Sequence, residues 1–228
     1  MKHSGKARKA AFKMILITGI LVLSVPVIGF LATLLASVAT LLSGLLILVW
    51  VLFALFTLYF FRDPTPTVPV GANLILSPGH GKIDVIDTML EPTFMGGEVQ
   101  RISMFLSVVD VHVQNAPVGG KVIAVKYTEG QFLNAMKTEC ATCNENVFIG
   151  FECIEPRATK MAVRLIAGAI ARRIVPFVEV GDEVARGERI SLIQFGSRVD
   201  VYLPKNARIK IKLGDRVVGG ETILAVFE

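Results

Sequence analysis

An uncharged segment of 48 residues, from position 14 to position 61, constrains the fold more than any other feature of the chain. One membrane-spanning helix needs about 20 apolar residues, so this segment has room for two. Its middle, residues 36–44, is less apolar because it contains four small or polar residues, Ser37, Thr40, Ser43 and Gly44. The sequence therefore predicts a two-helix transmembrane hairpin over residues 14–61, with its turn near 36–44.

The basic residues around this segment predict its orientation. The tail at residues 1–13 is basic, Arg62 follows the segment, and the expected turn carries no charge. The positive-inside rule then places both ends in the cytoplasm. We expect a domain that faces the cytosol at the cytoplasmic membrane. The net charge of +5 comes partly from the tail, which suits anionic lipid headgroups better than nucleic acid.

A cleaved signal peptide is the competing interpretation of the same segment. A basic start runs into an apolar stretch, and residues 36–39 resemble a cleavage site. The apolar stretch before residue 36 is longer than the roughly 7–15 residues of a signal, and a second apolar stretch follows at once. The hairpin is therefore the preferred prediction.

The rest of the chain has the pattern of an antiparallel β fold. A linker at 62–69 contains three prolines, and the domain is expected at 70–228. Glycine, proline and aspartate separate short apolar runs, which is typical of strands, at 73–76, 101–107, 121–127, 147–153, 160–166 and 189–195. The predicted fold is mainly β, an antiparallel barrel-sandwich-like soluble domain preceded by the hairpin. Residues 168–175 are the main candidate for a short helix.

An internal repeat occupies the end of the chain. Residues 179–195 and 212–228 share Gly-Asp, a following valine and Gly-Glu-x-Ile at a constant offset of 33 residues. We expect two equivalent hairpin corners with Gly181 and Gly214 in tight turns. Such corners resemble those of biotinyl and lipoyl carrier domains, a second functional class. A carrier presents an acylated lysine at such a tip, and neither tip contains one.

The sequence contains few of the cysteine and histidine patterns that are typical of metal sites. The cysteines are Cys140, Cys143 and Cys153, with a single C-x-x-C, and the three histidines are widely spaced. A zinc peptidase on a similar fold needs two histidines alternating on one strand, and residues 109–115 supply only His112. The cysteines are therefore expected to be reduced structural thiols, and no metal is expected.

The segment LIQFGSRVDVYLP, residues 192–204, alternates like a buried strand but contains Gly196 and Ser197. Glycine weakens a strand interior and a small hydroxyl packs poorly there. A β-bulge is the simplest structural explanation.

Six motifs give this pair a second explanation. They follow one another along the chain: FFRDP (60–64), FLSVVDVHVQNAPVGGKV (105–122), GQFLNA (130–135), NEN (144–146), IAGAIARRIV (166–175) and FGSRVDVYLP (195–204). Together they resemble the phosphatidylserine decarboxylase proenzymes of the short, membrane-attached prokaryotic type, over nearly the whole chain.

The resemblance implies a carboxy-lyase that makes phosphatidylethanolamine and CO2 from phosphatidylserine. Its cofactor would be a covalent pyruvoyl group, formed from Ser197 when the chain cuts itself between Gly196 and Ser197. The products would be a β chain, 1–196, and an α chain, 197–228, that remain associated. Glycine suits the cut because it permits a strained backbone and a close approach.

The resemblance also implies site residues and partners. His112 matches the motif histidine and is the expected proton-transfer group, since histidine titrates near neutral pH. The residues expected to contact the substrate are Phe195, Asn115, Arg172, Arg173 and Arg198. The partner would be phosphatidylserine in the membrane, and a homo-oligomer is compatible with the family.

The sequence departs from the family at several positions. His80 stands where the family has an aspartate, Asn115 replaces a second histidine of longer members, and Asn146 and Gln194 stand at expected arginine positions. In one hypothesis His80 and His112 act as a pair of imidazoles, and one is oriented by a carboxylate of Asp84, Asp87 or Asp110. In the other, the chain is a cleavage-impaired or inert homologue that binds an amino-phospholipid.

Overall fold

A computed structural model describes residues 6–133, 143–156, 158–169, 173–194 and 196–228. The chain divides into two compact units, Met1–Thr57 and Leu58–Glu228. In its described part the first unit is helical, and beyond residue 60 the second is built from strands and loops.

Helix α1 (Lys6–Phe60) is continuous through residues 36–44, so the structure has one helix where the sequence predicts a hairpin. The hydroxyls of Ser37, Thr40 and Ser43 bond to carbonyls three or four residues earlier, at 2.8–2.9 Å. Their polar groups are thereby satisfied within the helix, and no turn is needed to solvate them. The segment Phe12–Phe60 is long and apolar enough to cross a membrane.

Fourteen strands lie in the described residues of the second unit. Their bounds are β1 Leu74–Leu76, β2 Gly81–Glu91, β3 Gly97–Leu106, β4 Val113–Asn115, β5 Gly120–Thr128, β6 Asn146–Cys153, β7 Lys160–Ala167, β8 Arg173–Pro176, β9 Glu183–Val184, β10 Arg189–Gln194, β11 Ser197–Leu203, β12 Ala207–Ile209, β13 Arg216–Val217 and β14 Ile223–Phe227. The six predicted strands correspond to β1, β3, β5, β6, β7 and β10 and are confirmed.

The strands form one large curled sheet and two small ones. The eight-stranded sheet has the order β13-β2-β3-β11-β7-β6-β5-β9, and all of its pairs are antiparallel. The small sheets have the orders β1-β14-β12 and β4-β10-β8. Buried aliphatic and aromatic side chains from all three sheets form the main hydrophobic core, and a second, smaller cluster contains Val99, Phe148, Ala162 and Tyr202. The prediction of a mainly β, antiparallel domain is confirmed.

The predicted helix at 168–175 is wrong where the structure describes it. Residues Arg173–Pro176 form β8, which pairs antiparallel with Ser191–Gln194 of β10. The cross-strand pairing prevails over the local sequence preference, because a strand gains most of its stability from its neighbours.

The segment 192–204 is not one strand with a bulge. Strand β10 ends at Gln194 in a small sheet, and β11 begins at Ser197 in the large sheet. Gly196 lies between them with φ +67°, in the left-handed region that glycine adopts without steric cost. The Gly-Ser pair therefore marks the point where the chain passes from one sheet to another.

The two repeated turns are equivalent, as predicted. Gly181 and Gly214 have φ values of +108° and +92°. In each turn an aspartate carboxylate accepts a hydrogen bond from the backbone N–H three residues earlier, at 2.8 Å in both. The strands that follow, β9 and β13, pair with β5 and β2 in the large sheet.

Candidate active site

Ser197 is the first residue of β11 and lies between two neighbouring strands. It faces Leu106 of β3 on one side and Ala167 of β7 on the other. The residue is fully buried, and its Oγ has no hydrogen-bond partner within the described part of the chain. A buried hydroxyl without a partner costs free energy, so the position of Ser197 Oγ calls for an explanation.

The peptide bond before Ser197 is already polarised. The Gly196 carbonyl oxygen accepts a hydrogen bond from the backbone N–H of Gly168, at 3.1 Å. A negative charge developing on that oxygen would be stabilised by the same donor, as in an oxyanion hole. Gly168 was not among the predicted site residues, although a glycine near the end of a predicted strand can indicate close backbone approach.

His112 is buried, and both of its ring nitrogens are bonded. Nε2 accepts a hydrogen bond from the N–H of Gly196 at 3.1 Å, so the ring proton is on Nδ1, which donates to the Asp110 carbonyl at 2.9 Å. The imidazole is therefore neutral, with the Nε2 lone pair directed at the residue that precedes Ser197. Burial lowers the pKa of His112, the nearby Asp110 opposes this, and Arg62 and His80 lower it further.

A pair of buried polar side chains holds the backbone at His112. Gln114 donates from Nε2 to the His112 carbonyl at 2.7 Å and accepts a hydrogen bond from Ser191 Oγ, also at 2.7 Å. The N–H of Ile193 donates to the same carbonyl at 3.0 Å. The bond between Gln114 and Ser191 was not predicted from the sequence.

His80 is half-buried in the bend between β1 and β2 and lies against Gly219. Burial lowers its pKa, Asp110 opposes this, Arg62 lowers it, and Glu221 raises it. Among the hydrogen bonds of the described residues, none joins His80 to His112 or Ser197. The charge of His80 lowers the pKa of His112.

The group that orients His112 is a backbone carbonyl rather than a carboxylate. Of the three candidate acids, Asp110 contributes its carbonyl to His112, while its carboxylate accepts from the N–H of Ser107 at 2.8 Å. Asp87 pairs with Arg101. Asp84 is bound elsewhere, to Arg198.

Arg198 is buried, with its side chain only 1% exposed. It donates two hydrogen bonds to the Asp84 carboxylate, both at 2.8 Å, and its Nε lies 3.4 Å from Asp200 Oδ1. Burial raises the pKa of Asp84, and Arg198 opposes that effect. These carboxylates enclose the Arg198 guanidinium, and its contact with substrate stays a prediction.

The structure describes two of the other four predicted substrate residues. Asn115 is buried and donates to the Gly187 carbonyl at 2.9 Å. Arg173 lines a cavity of about 640 Å³ together with Tyr127, Glu145 and Ile174. Phe195 and Arg172 lie outside the described residues.

Two of the three cysteines lie in the described residues. Cys140 lies outside them, Cys143 is exposed, and Cys153 is buried. Burial raises the pKa of the Cys153 thiol to about 12, so it stays protonated at neutral pH. No group of three or more His, Cys, Asp or Glu side chains in the described parts could hold a metal ion.

Comparison with known proteins connects this site to a family. Residues 53–225 match the family model of phosphatidylserine decarboxylase. A relative named phosphatidylserine decarboxylase proenzyme from Desulfotalea psychrophila is 43% identical over 200 residues, which cover 88% of this chain and 92% of the relative. Relatives of the same name come from Symbiobacterium thermophilum, 39% identical over 75% of this chain and 79% of the relative, and Rickettsia bellii, 43% identical over 75% and 74%.

The match includes β11, with Ser197, and the loop that holds His112, and the relatives are named as proenzymes. The chain belongs to the phosphatidylserine decarboxylase family of carboxy-lyases.

Proposed function

We propose that this protein converts phosphatidylserine to phosphatidylethanolamine and CO2, and that it first cuts its own chain between Gly196 and Ser197. The observation that carries the proposal is the arrangement of three groups around one peptide bond. Ser197 Oγ is buried without a partner, the Gly196 carbonyl accepts from Gly168, and His112 Nε2 holds a lone pair at Gly196. A nucleophile, an oxyanion donor and a neutral base are thereby assembled.

His112 acts as the base in the first step. Nε2 first releases the Gly196 N–H and then takes the proton from Ser197 Oγ, and Oγ bonds to the Gly196 carbonyl carbon. Gly168 stabilises the oxyanion through its N–H. The bond from this carbon to the Ser197 nitrogen then breaks, His112 returns the proton to that nitrogen, and an ester joins the two residues. The lowered pKa of His112 favours this step, because it keeps the base unprotonated at neutral pH.

The ester then eliminates the Gly196 carboxylate, with loss of the Ser197 α-proton. The dehydroalanine that remains takes up one water and releases ammonia, which leaves a pyruvoyl group at the start of β11. Two chains result, 1–196 and 197–228.

The described residues suit such a group. Position 197 is buried between β3 and β7, so bulk water is kept away from it. When present, the group supplies a carbonyl that accepts the electrons released as CO2 leaves the substrate.

We propose the cavity at Arg173 as the site for the polar headgroup. Glu145 and Arg173 present opposite charges, which suits a headgroup that carries an ammonium, a carboxylate and a phosphate. The wall of the cavity is joined to Ser197, because the Glu145 carbonyl accepts from the N–H of Ala167, which lies opposite Ser197. A volume of about 640 Å³ is within the range of small-molecule sites.

A cleavage-impaired homologue that binds an amino-phospholipid is the second candidate. The observation that favours it is His80, which occupies the family's aspartate position and makes no described hydrogen bond to His112. The carbonyl of Asp110, which orients His112 without any carboxylate, favours the active enzyme instead.

We propose that the apolar part of α1, which is one continuous helix in the structure, folds as a hairpin in the bilayer, with the strand domain in the cytosol at the cytoplasmic membrane. At 1.5 Å per residue, Phe12–Phe60 extends roughly 70 Å as one helix, more than twice the ~30 Å hydrocarbon core. Two spans match that thickness, and they return the chain to the side of the basic tail.

The test is a comparison of the wild-type chain with Ser197→Ala by intact-mass spectrometry. Wild type should yield 1–196 and 197–228, the smaller chain reacting with a hydrazide through its N-terminal ketone, and should decarboxylate phosphatidylserine in mixed micelles. Ser197→Ala should stay full-length and inactive. A wild-type chain that remains whole after long incubation at neutral pH would contradict the proposal.

A further inference from the structure

The end of helix α1 carries a phenylalanine that packs on His112. The Phe60 ring centroid lies 4.5 Å from that of the imidazole, at an interplanar angle of 34°. Phe60 is fully buried, whereas Leu58 and Tyr59 beside it are 74% and 49% exposed. All of these residues belong to the compact unit that contains the strands. Phe60 therefore covers one face of the ring and separates it from water.

Arg62 and Tyr59 bind the loop that leads to His112. Arg62 Nη2 donates to the Val109 carbonyl at 2.6 Å, and Tyr59 Oη donates to the same oxygen at 3.3 Å. The guanidinium also lies 4.0 Å over the Tyr59 ring and donates to the Tyr59 carbonyl at 2.8 Å. The two side chains thus hold one carbonyl from two directions.

The loop held in this way is the one that orients the imidazole. Asp110 closes a tight turn by donating its N–H to the Ser107 carbonyl at 2.8 Å, and its own carbonyl accepts from His112 Nδ1. Val108, in the same turn, lies 3.7 Å from where a β-carbon on Gly196 would be. The carbonyl that Arg62 and Tyr59 hold is therefore one residue before the carbonyl that fixes His112.

We propose that Phe60 and Arg62 are positioning residues for self-cleavage: Phe60 covers the imidazole of His112, and Arg62 fixes the 107–110 turn that orients it. The inference rests on the proposed function and deepens it. The residues that follow the apolar segment would then complete the catalytic base, so the end of the membrane anchor is part of the site.

The charges around the imidazole give this inference a spectroscopic readout. Asp110, Arg62 and His80 act on His112, and Arg216 in β13 contacts the Asp110 carboxylate at 3.2 Å. Burial is the largest cause of the lowered pKa, and the positive charge of Arg62 adds to it. Removing the cover of Phe60 or the charge of Arg62 should therefore raise the pKa of His112 in both cases.

The experiment is a histidine NMR titration of the full chain, solubilised in detergent, in the uncut Ser197→Ala background. The chain has three histidines, so His112→Gln identifies the His112 signal. Phe60→Ala and Arg62→Gln should each raise the pKa of His112, and Phe60→Leu, which keeps an apolar cover, should raise it less. Arg208→Gln is the matched control: Arg208 is 62% exposed, pairs with Glu228 and should leave the pKa unchanged.

The same substitutions are then tested for cleavage with Ser197 present. At pH 7.5 we expect Phe60→Ala to slow the cut about tenfold or more, because the base is less well placed, and Phe60→Leu to recover part of the rate. Variants that fold like wild type by circular dichroism yet keep both its cleavage rate and its His112 pKa would overturn the inference. An uncut wild-type chain would instead contradict the proposed function, while the titration would still test the positioning.

Discussion

The N–H of Gly196 donates a hydrogen bond to Nε2 of His112 across 3.1 Å. Since the Asp110 carbonyl accepts from the other ring nitrogen, the tautomer of His112 is fixed by backbone groups alone. A carboxylate would also favour the charged imidazolium, whereas a carbonyl does so less strongly. The base is consequently kept neutral by its surroundings.

Self-cleavage should depend on pH through His112. Its pKa is lowered from the ordinary value of about 6.5, so the base is neutral at pH 7–8 and the rate should be constant there. The rate should fall only at a pH below that ordinary value, where the ring becomes protonated. Cleavage of freshly synthesised chain, followed by gel electrophoresis from pH 5 to 8, measures the midpoint. A midpoint above pH 7 would contradict a buried neutral base, and His112→Gln should lose about 10²-fold or more in rate at every pH.

His80 should influence the rate through its charge and its place beside the base. His80→Ala should slow cleavage, and His80→Asp, which restores the family residue, should retain or speed it. The added carboxylate should also raise the pKa of His112 and shift the pH midpoint upward. Equal rates in wild type and His80→Ala would leave His80 as a residue that only fills the bend beside Gly219.

Gly168 should act through its backbone N–H. Gly168→Pro removes the donor to the Gly196 carbonyl and should slow cleavage by roughly 10²-fold, the usual cost of one oxyanion donor. The preceding residue, Ala167, is in β7, a conformation that a following proline tolerates. Gly168→Ala keeps the N–H and is the control, so similar losses in both variants would show that bulk at position 168, rather than the donor, matters.

Substitutions of two aspartates on β2 should lower the stability of the protein by different amounts. Asp84→Asn leaves the buried Arg198 guanidinium without its bidentate partner and should lower the free energy of unfolding by about 2 kcal/mol. Asp87→Asn breaks a pair whose side chains are 19% and 40% exposed, which should cost less than about 1 kcal/mol. Urea unfolding of both variants in the Ser197→Ala background, followed by circular dichroism, compares them. An equal decrease in the free energy of unfolding for both variants would mean that burial of the Asp84–Arg198 pair does not increase its contribution to stability.

The membrane topology can be tested with a reporter that is active only in the periplasm. Fused after Glu228, it should be inactive, because a hairpin returns the chain to the cytosol. A single span, with the basic tail in the cytosol, would place the fusion outside and make the reporter active. A cytosol-active reporter at the same position is the control for expression.

Regular apolar alternation made most of the large sheet predictable from sequence. Strand β2 was missed because its register shifts between Ile83 and Val85, which interrupts the alternation that identifies a strand. The change of sheet at Gly196 was also invisible, since the apolar pattern continues on both sides of it. Only the positions of the strands that pair with β10 and β11 show that the chain passes from one sheet to another at Gly196 and does not form a bulge within one strand.

The residues of the proposed site could be named from sequence where a side chain would do the chemistry. Ser197 and His112 could be proposed from their motifs. The groups that hold them are mostly backbone atoms, namely the Gly168 N–H and the carbonyls of Val109 and Asp110, which any residue type supplies. No residue pattern encodes such contacts, because they depend on loops that are distant in sequence and meet only in the folded chain.

Strand β11 is bordered on both sides by strands that precede the proposed cut, and β13 and β14 pair with β2 and β1 in the same way. The 32 residues from 197 onward would therefore behave like the smaller fragment of a split protein. They would complete the sheets of residues 1–196, with which they folded as one chain. Such a fragment can leave only when the sheet itself opens, so its dissociation can be no faster than global unfolding. In a mixture of two variants, each molecule should keep the fragment with which it was synthesised.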